Sequence, residues 1–208
     1  MKRRPNAFAI FSKAILSAFI CAASIELMSA KSPNSEQLHQ IQQQIQQIQN
    51  NFAIKINNLE NRLKITIEAE RRNKDKTKSL SGPDYDILYR RFEDKKEHIK
   101  EMEKYHSINA QNIAKKVKDS AKEWGLEKEF SAFELSLSKS ASAFVAQIAE
   151  YKKRLETLSK TQNSSKANSV YKEKMEWIVR EFDNEYEDIL LDTYDTFITK
   201  AEGILGAK

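Results

Sequence analysis

Apolar residues recur along this chain at intervals of three and four, the spacing that lays them on one face of a helix. Four tracts carry the pattern. From about 35 to 74 the stripe is Leu38, Ile41, Ile45, Ile48, Phe52, Ile56, Leu59, Leu63 and Ile67. Its alternating threes and fours have coiled-coil character, and a doubled four around Phe52 and Ile56 relaxes the supercoil. A second tract, about 83–124, places Tyr85, Leu88, Phe92, Ile99, Met102, Ile113, Val117, Ala121 and Trp124 on one face. Its stripe weakens near Lys95 and between Met102 and Ile113. The third, about 131–160, is the cleanest: Phe130, Phe133, Leu137, Ala141, Phe144, Ile148, Tyr151, Leu155 and Leu158. The fourth, about 169–205, carries Tyr171, Met175, Ile178, Phe182, Ile189, Tyr194, Phe197, Ala201 and Ile204. Only 4 glycines and 3 prolines interrupt 208 residues, a scarcity that favours long helices over strands and turns. The expected fold is all-α: an elongated antiparallel bundle of three to four long helices in one domain, 31–208.

The breaks between tracts carry local signals. Residues 71–83 read as a basic loop, with Arg71, Arg72, Lys74, Lys76 and Lys78 against Asp75, and end in Gly82-Pro83. Pro83 suits the first turn of the second helix. Gly125 fits a left-handed helix stop. Ser131 and Glu134 have capping-box spacing, with Phe130 and Leu135 as the hydrophobic staple of the third helix. The short turn before Phe130 predicts antiparallel second and third helices, the competing reading being one bent helix. Residues 161–168 form a polar loop, and Asn168 or Ser169 is placed to cap the fourth helix.

The first thirty residues follow a different pattern. Lys2, Arg3 and Arg4 open them, an apolar run from Ala14 to Ile25 follows, and Met28-Ser29-Ala30 closes them. At twelve residues the run falls short of the roughly 20 a membrane-spanning helix needs. The arrangement is that of a secretory signal peptide over 1–30, cleaved near Ala30, and predicts an extracytoplasmic protein: periplasmic, surface-bound or secreted. Alternatives are a lipoprotein leader at Cys21, although Ile20 is not the small residue such a signal takes, an uncleaved anchor, or a mitochondrial presequence. A membrane partner is expected only if Cys21 is lipidated or the leader stays. Cys21 is the sole cysteine, so residues 31–208 have no disulfide or thiol chemistry.

Charge then narrows the partners. The chain's net +5 falls to +2 over 31–208, with 31 basic and 29 acidic residues, too weak a field to predict nucleic-acid binding. Residues 31–125 hold 19 bases and 14 acids, and 126–208 hold 12 and 15, so the halves are complementary. The fourth tract has an acidic outer face: Glu181, Asp183, Glu185, Glu187, Asp188, Asp192 and Asp195. Such complementarity serves the fold or head-to-tail association.

Candidate chemistry is sparse. Glu36-x-x-His39 and Glu103-x-x-His106 have the spacing of di-iron bundles. A hairpin about residue 78 sets their histidines about 16 Å apart at 1.5 Å per residue, which argues against a shared metal. His98, Met102 and His106 recur every four residues with no second feature beside them. Asp183-x-Glu185-x-Glu187 lacks the glycine of a calcium loop. Asn163-Ser164-Ser165 matches a glycosylation acceptor, relevant only in a eukaryotic secretory pathway. No phosphate loop, nucleophile elbow or zinc motif occurs, so neither an enzyme nor a cofactor is expected.

The remaining candidate is a contact surface. Gln40, Gln42, Gln43, Gln44, Gln46 and Gln47 fill the first tract between its isoleucines, giving a helix whose uncharged faces can pack on another chain. Ile41, Ile45 and Ile48, with the basic stretch Arg71, Arg72, Lys74, Lys76 and Lys78, are the expected interaction residues, either with a protein partner or in self-association. A basic-apolar leader followed by QIQQQIQQIQ is similar to minor pilins of type IV secretion systems. The likeness covers about fifteen low-complexity residues, and no family is assigned on it. The expected role is protein–protein contact in a bacterial envelope, as an assembly or secretion-apparatus component. The alternative is a secreted effector or adhesin that binds a host protein or membrane.

Overall fold

The computed structural model describes residues 33–77, 90, 93–94, 112–160 and 166–206. The leader, Cys21, Lys78, Pro83, His98, His106 and the Asn163 sequon lie outside them. The protein is an all-α bundle. Helix α1 is Ser35–Thr77, α2 is described over 112–123, α3 is Glu127–Lys160 and α4 is Lys166–Leu205. With 43, 34 and 40 residues, α1, α3 and α4 are about 65, 51 and 60 Å long at 1.5 Å per residue.

The helices share one hydrophobic core. Cross-helix contacts fix their directions. Lys55 of α1 reaches Asp192 of α4 (2.6 Å) and Lys174 of α4 reaches Glu70 of α1 (3.2 Å), so these two run antiparallel. The Phe130 ring lies beside Phe197 and the Phe144 ring beside Tyr186, so α3 and α4 also run antiparallel. Gln147 of α3 donates to Glu60 of α1, and these two helices run parallel. Every residue of the α1 stripe from Ile41 to Ile67 is buried. So are Val117 and Ala121 of α2 and the α3 stripe from Phe130 to Ile148. On α4 the buried face is wider than one stripe, adding Val179, Thr193 and Ile198. Each of the three long helices packs on the other two. The Thr193 hydroxyl satisfies itself on the Ile189 carbonyl (2.6 Å).

The helix ends correct several sequence readings. The basic stretch 71–77 is the last two turns of α1, not a loop. Helix α3 starts at Glu127, so Ser131 lies inside it and makes no capping box, and Leu135 is 57 % exposed rather than stapled to Phe130. The reason is the turn before it. Gly125 has φ +69°, its N–H bonds to Lys122 O (3.1 Å), and Leu126 N–H bonds to Ala121 O (2.8 Å). This is a Schellman closure, with Ala121 and Leu126 both buried beside it. The next helix begins at once, with Phe130 N–H already bonded to Leu126 O. Glu127 and Glu129 then suit the positive end of α3. The same closure separates α2 from α3, which excludes one bent helix. Helix α4 starts at Lys166, so Asn168 and Ser169 stand within it rather than at its start.

A cap that the spacing contained went unread. Asn34 Oδ1 accepts from Gln37 N–H (2.8 Å), and Gln37 Oε1 accepts from Asn34 N–H (3.1 Å). That reciprocal pair is a capping box built from amides. Gln37 Nε2 also donates to Ile204 O (3.2 Å), tying the start of α1 to a terminal carbonyl of α4.

Candidate functional site

The isoleucines expected to meet another chain do not face outward. Ile41, Ile45 and Ile48 are 2 %, 8 % and 6 % exposed and belong to the core. Their stripe is continuous with Phe52 to Ile67, and the whole of it is buried in the shared core. The surface of α1 is therefore its opposite face.

That face has a stripe of its own. Gln43, Gln47, Asn50, Ile54, Asn57, Asn61 and Ile65 follow each other at steps of 4, 3, 4, 3, 4 and 4, and all are exposed. Ile54 and Ile65 are 58 % and 68 % exposed. They lie eleven residues apart, three turns of helix, and so share one line. No charged residue lies in the stripe. The charges of α1 sit to its sides and pair within the chain: Lys55 with Asp192, Arg62 with Glu185, and Lys64 with Glu60. Arg62 also covers the Phe182 ring at 5.4 Å. The acidic residues of α4 are thus shared between seams, Glu185 and Asp192 meeting α1 and Asp183 meeting Lys152 of α3. The complementary halves pair inside the fold. The outward stripe was legible as a second three-four pattern of amides, but one built on Asn and Gln carries no hydrophobic signal.

The predicted basic residues occupy one end of the bundle. Arg72 pairs with Glu68 (3.4 Å), and Lys74 Nζ lies 4.6 Å from the centre of the Tyr171 ring. Lys76 lies on the last turn of α1. Arg71 is exposed and enters no ion pair among the described residues. It borders a cavity of about 240 Å³ where α1 and α3 end and α4 begins. Two matching sets line it, Lys64, Ile67, Glu68 and Arg71 from α1 and Tyr151, Arg154, Leu155 and Leu158 from α3, with Tyr171 and Met175 of α4 between them. Burial raises the Tyr171 phenol, opposed by the positive charge of Arg71 and reinforced by Glu70.

Other candidates resolve into structural roles. His39 shares a hydrogen bond with Gln43 (2.9 Å) on the surface of α1. Asp183, Glu185 and Glu187 lie on continuous helix. Among the described residues no cluster of His, Cys, Asp and Glu could hold a metal ion, and no helix is long and apolar enough to cross a membrane. No protein-family model, curated protein or solved structure matches the chain.

Proposed function

We propose that this protein is exported to a bacterial envelope and acts there, without catalysis, by helix-to-helix contact with a protein partner. The observation that carries the reading is the outward stripe of α1. In a chain that is 31 % charged, it runs from Gln43 to Ile65 with no charge and two protruding isoleucines. Asn and Gln side chains each donate and accept, so they can bond across a helix pair without a fixed charge partner. Asn at seam positions also sets register at a cost in stability, as in coiled coils. The basic-apolar leader supports the export part of the reading. Contact by the outer stripe replaces contact by Ile41, Ile45 and Ile48, which the core already uses.

The test is photo-crosslinking in place. A tagged full chain carries a photoreactive phenylalanine at position 54, 65 or 135 in a Gram-negative host, followed by fractionation and intact-mass measurement. The expected result is an envelope product shortened by about thirty residues. One partner band should appear at 54 and 65, and none at 135, where Leu135 is comparably exposed on α3. A full-length cytosolic product would sink the export reading. Equal or absent bands at the three positions would sink the contact reading.

A further inference from the structure

The cavity at the basic end has a composition that the contact reading does not use. Its floor is Ile67, Leu155 and Met175, each 5–6 % exposed. Its rim holds three cations, Lys64, Arg71 and Arg154, against one acid, Glu68. Three of these four are neutralised nearby: Lys64 by Glu60, Arg154 by Glu150 and Glu68 by Arg72. Arg71 alone brings a charge with no ion pair among the described residues. Tyr171 adds a phenol beside it. An apolar floor beneath a few convergent polar groups is the usual form of a small-ligand site. A guanidinium binds a carboxylate or phosphate through two parallel hydrogen bonds, which adds direction to the charge.

The size limits the ligand. About 240 Å³ equals the liquid volume of roughly eight waters. That is below the 300–1,000 Å³ of sites for drug-sized molecules and fits one alkyl chain rather than a fused-ring or two-chain ligand. The larger opening between α3 and α4, about 500 Å³, is walled by four acids, Glu156, Glu176, Asp183 and Glu187, against Lys152 and Arg180, and so disfavours an anion.

We propose that this end cavity binds an anionic single-chain amphiphile, the alkyl chain on Ile67, Leu155 and Met175 and the anionic head at Arg71 and Tyr171. The shared chemistry is a carboxylate or phosphate on one medium-length chain. The site is separate from the outer stripe of α1, and neither reading depends on the other.

Titration calorimetry of the purified full chain tests it, with every ligand below its micelle concentration. The probes are octanoate, decanoate, decyl phosphate, decanol and inorganic phosphate. Decanoate should bind about tenfold or more tightly than decanol, since the charge-assisted pair is lost in the alcohol. Each added methylene should tighten binding about fourfold until the cavity is full. Inorganic phosphate should not bind measurably. Preference between decanoate and decyl phosphate distinguishes a free carboxylate from a phosphate head. Arg71→Gln should weaken decanoate about tenfold and leave decanol unchanged, while Lys139→Gln on the distant surface of α3 changes neither. Leu155→Trp, which fills the cavity, should abolish chain-length dependence, with circular dichroism confirming that it folds. Equal affinity for decanoate and decanol, an Arg71→Gln variant that binds decanoate unchanged, or no binding by any amphiphile would overturn the proposal.

Discussion

The two ends of this bundle are made by the same helices and differ in how they close. Where α1 and α3 start and α4 finishes, Phe130, Phe133, Tyr194 and Phe197 meet with ring centres 5.2–6.3 Å apart. Backbone bonds of the Schellman turn at Gly125, and side-chain-to-backbone bonds of the Asn34–Gln37 box and from Gln37 to Ile204 O, tie that end together. At the opposite end a cavity stands between helices, Leu158 is half exposed, and the cations of α1 reach over Tyr171 and toward solvent. Rings interlock over a short length of bundle, whereas long charged side chains keep their heads in water and cannot fill a gap between helices. The same three helices thus interlock rings at one end and leave a cavity between them at the other.

Cutting equivalent core residues at the two ends should separate them most. Leu137, near the start of α3, is 2 % exposed, and Leu137→Ala should cost about 3–5 kcal/mol. Leu155 borders the end cavity, which softens the loss, and Leu155→Ala should cost about 2 kcal/mol. Urea denaturation of both variants measures the difference. Equal losses would mean that the two ends are equally packed.

The next effect is on the backbone of the closed end. Gly125 holds φ +69°, and a Cβ there would meet nothing within 4 Å. The cost of Gly125→Ala is therefore conformational alone, about 1 kcal/mol, and Gly125→Asn should recover part of it. A loss above about 3 kcal/mol would show that the turn carries packing as well.

Much of this architecture was legible in the sequence. The spacing from Ile41 to Ile67 and from Phe130 to Ile148 named the core of α1 and α3 residue by residue, because each of those helices buries one stripe. On α4 the buried face also takes in Val179, Thr193 and Ile198, which lie beside the single stripe that the spacing picks out. Helix starts were misjudged where local motifs competed. Ser131-x-x-Glu134 has the right residues for a cap, but the Gly125 closure begins the helix four residues earlier. Ile41, Ile45 and Ile48, expected to meet another chain, are core instead, since periodicity identifies stripes but not what covers them. The end cavity depends on which turns of α1 and α3 come level, a register that neither helix encodes alone.

The smallest expected effect is a pH dependence at the closed end. Tyr194 lies among the phenylalanine rings and its hydroxyl donates to Glu134 Oε1 (3.4 Å). Burial first, then the Glu134 charge, pushes its phenol up to about 12. The unfolded chain releases that proton near 10. Between those values the folded state holds more protons than the unfolded one, so stability falls as pH rises. The contribution is whole below about pH 10 and is lost as pH climbs through 12. Lysines titrate in the same window, so the readout is the difference between the protein and Tyr194→Phe. At pH 9 the tyrosine form should hold its full advantage, and by pH 11 the difference should shrink measurably in urea midpoint. Tyr171, at the open end, is also raised by burial, but Arg71 opposes the rise, and Tyr171→Phe should show a weaker change. If Tyr194→Phe shifts the midpoint equally at pH 9 and pH 11, the phenol titrates normally. Water would then reach the aromatic cluster, and the closed end would be no drier than the open one.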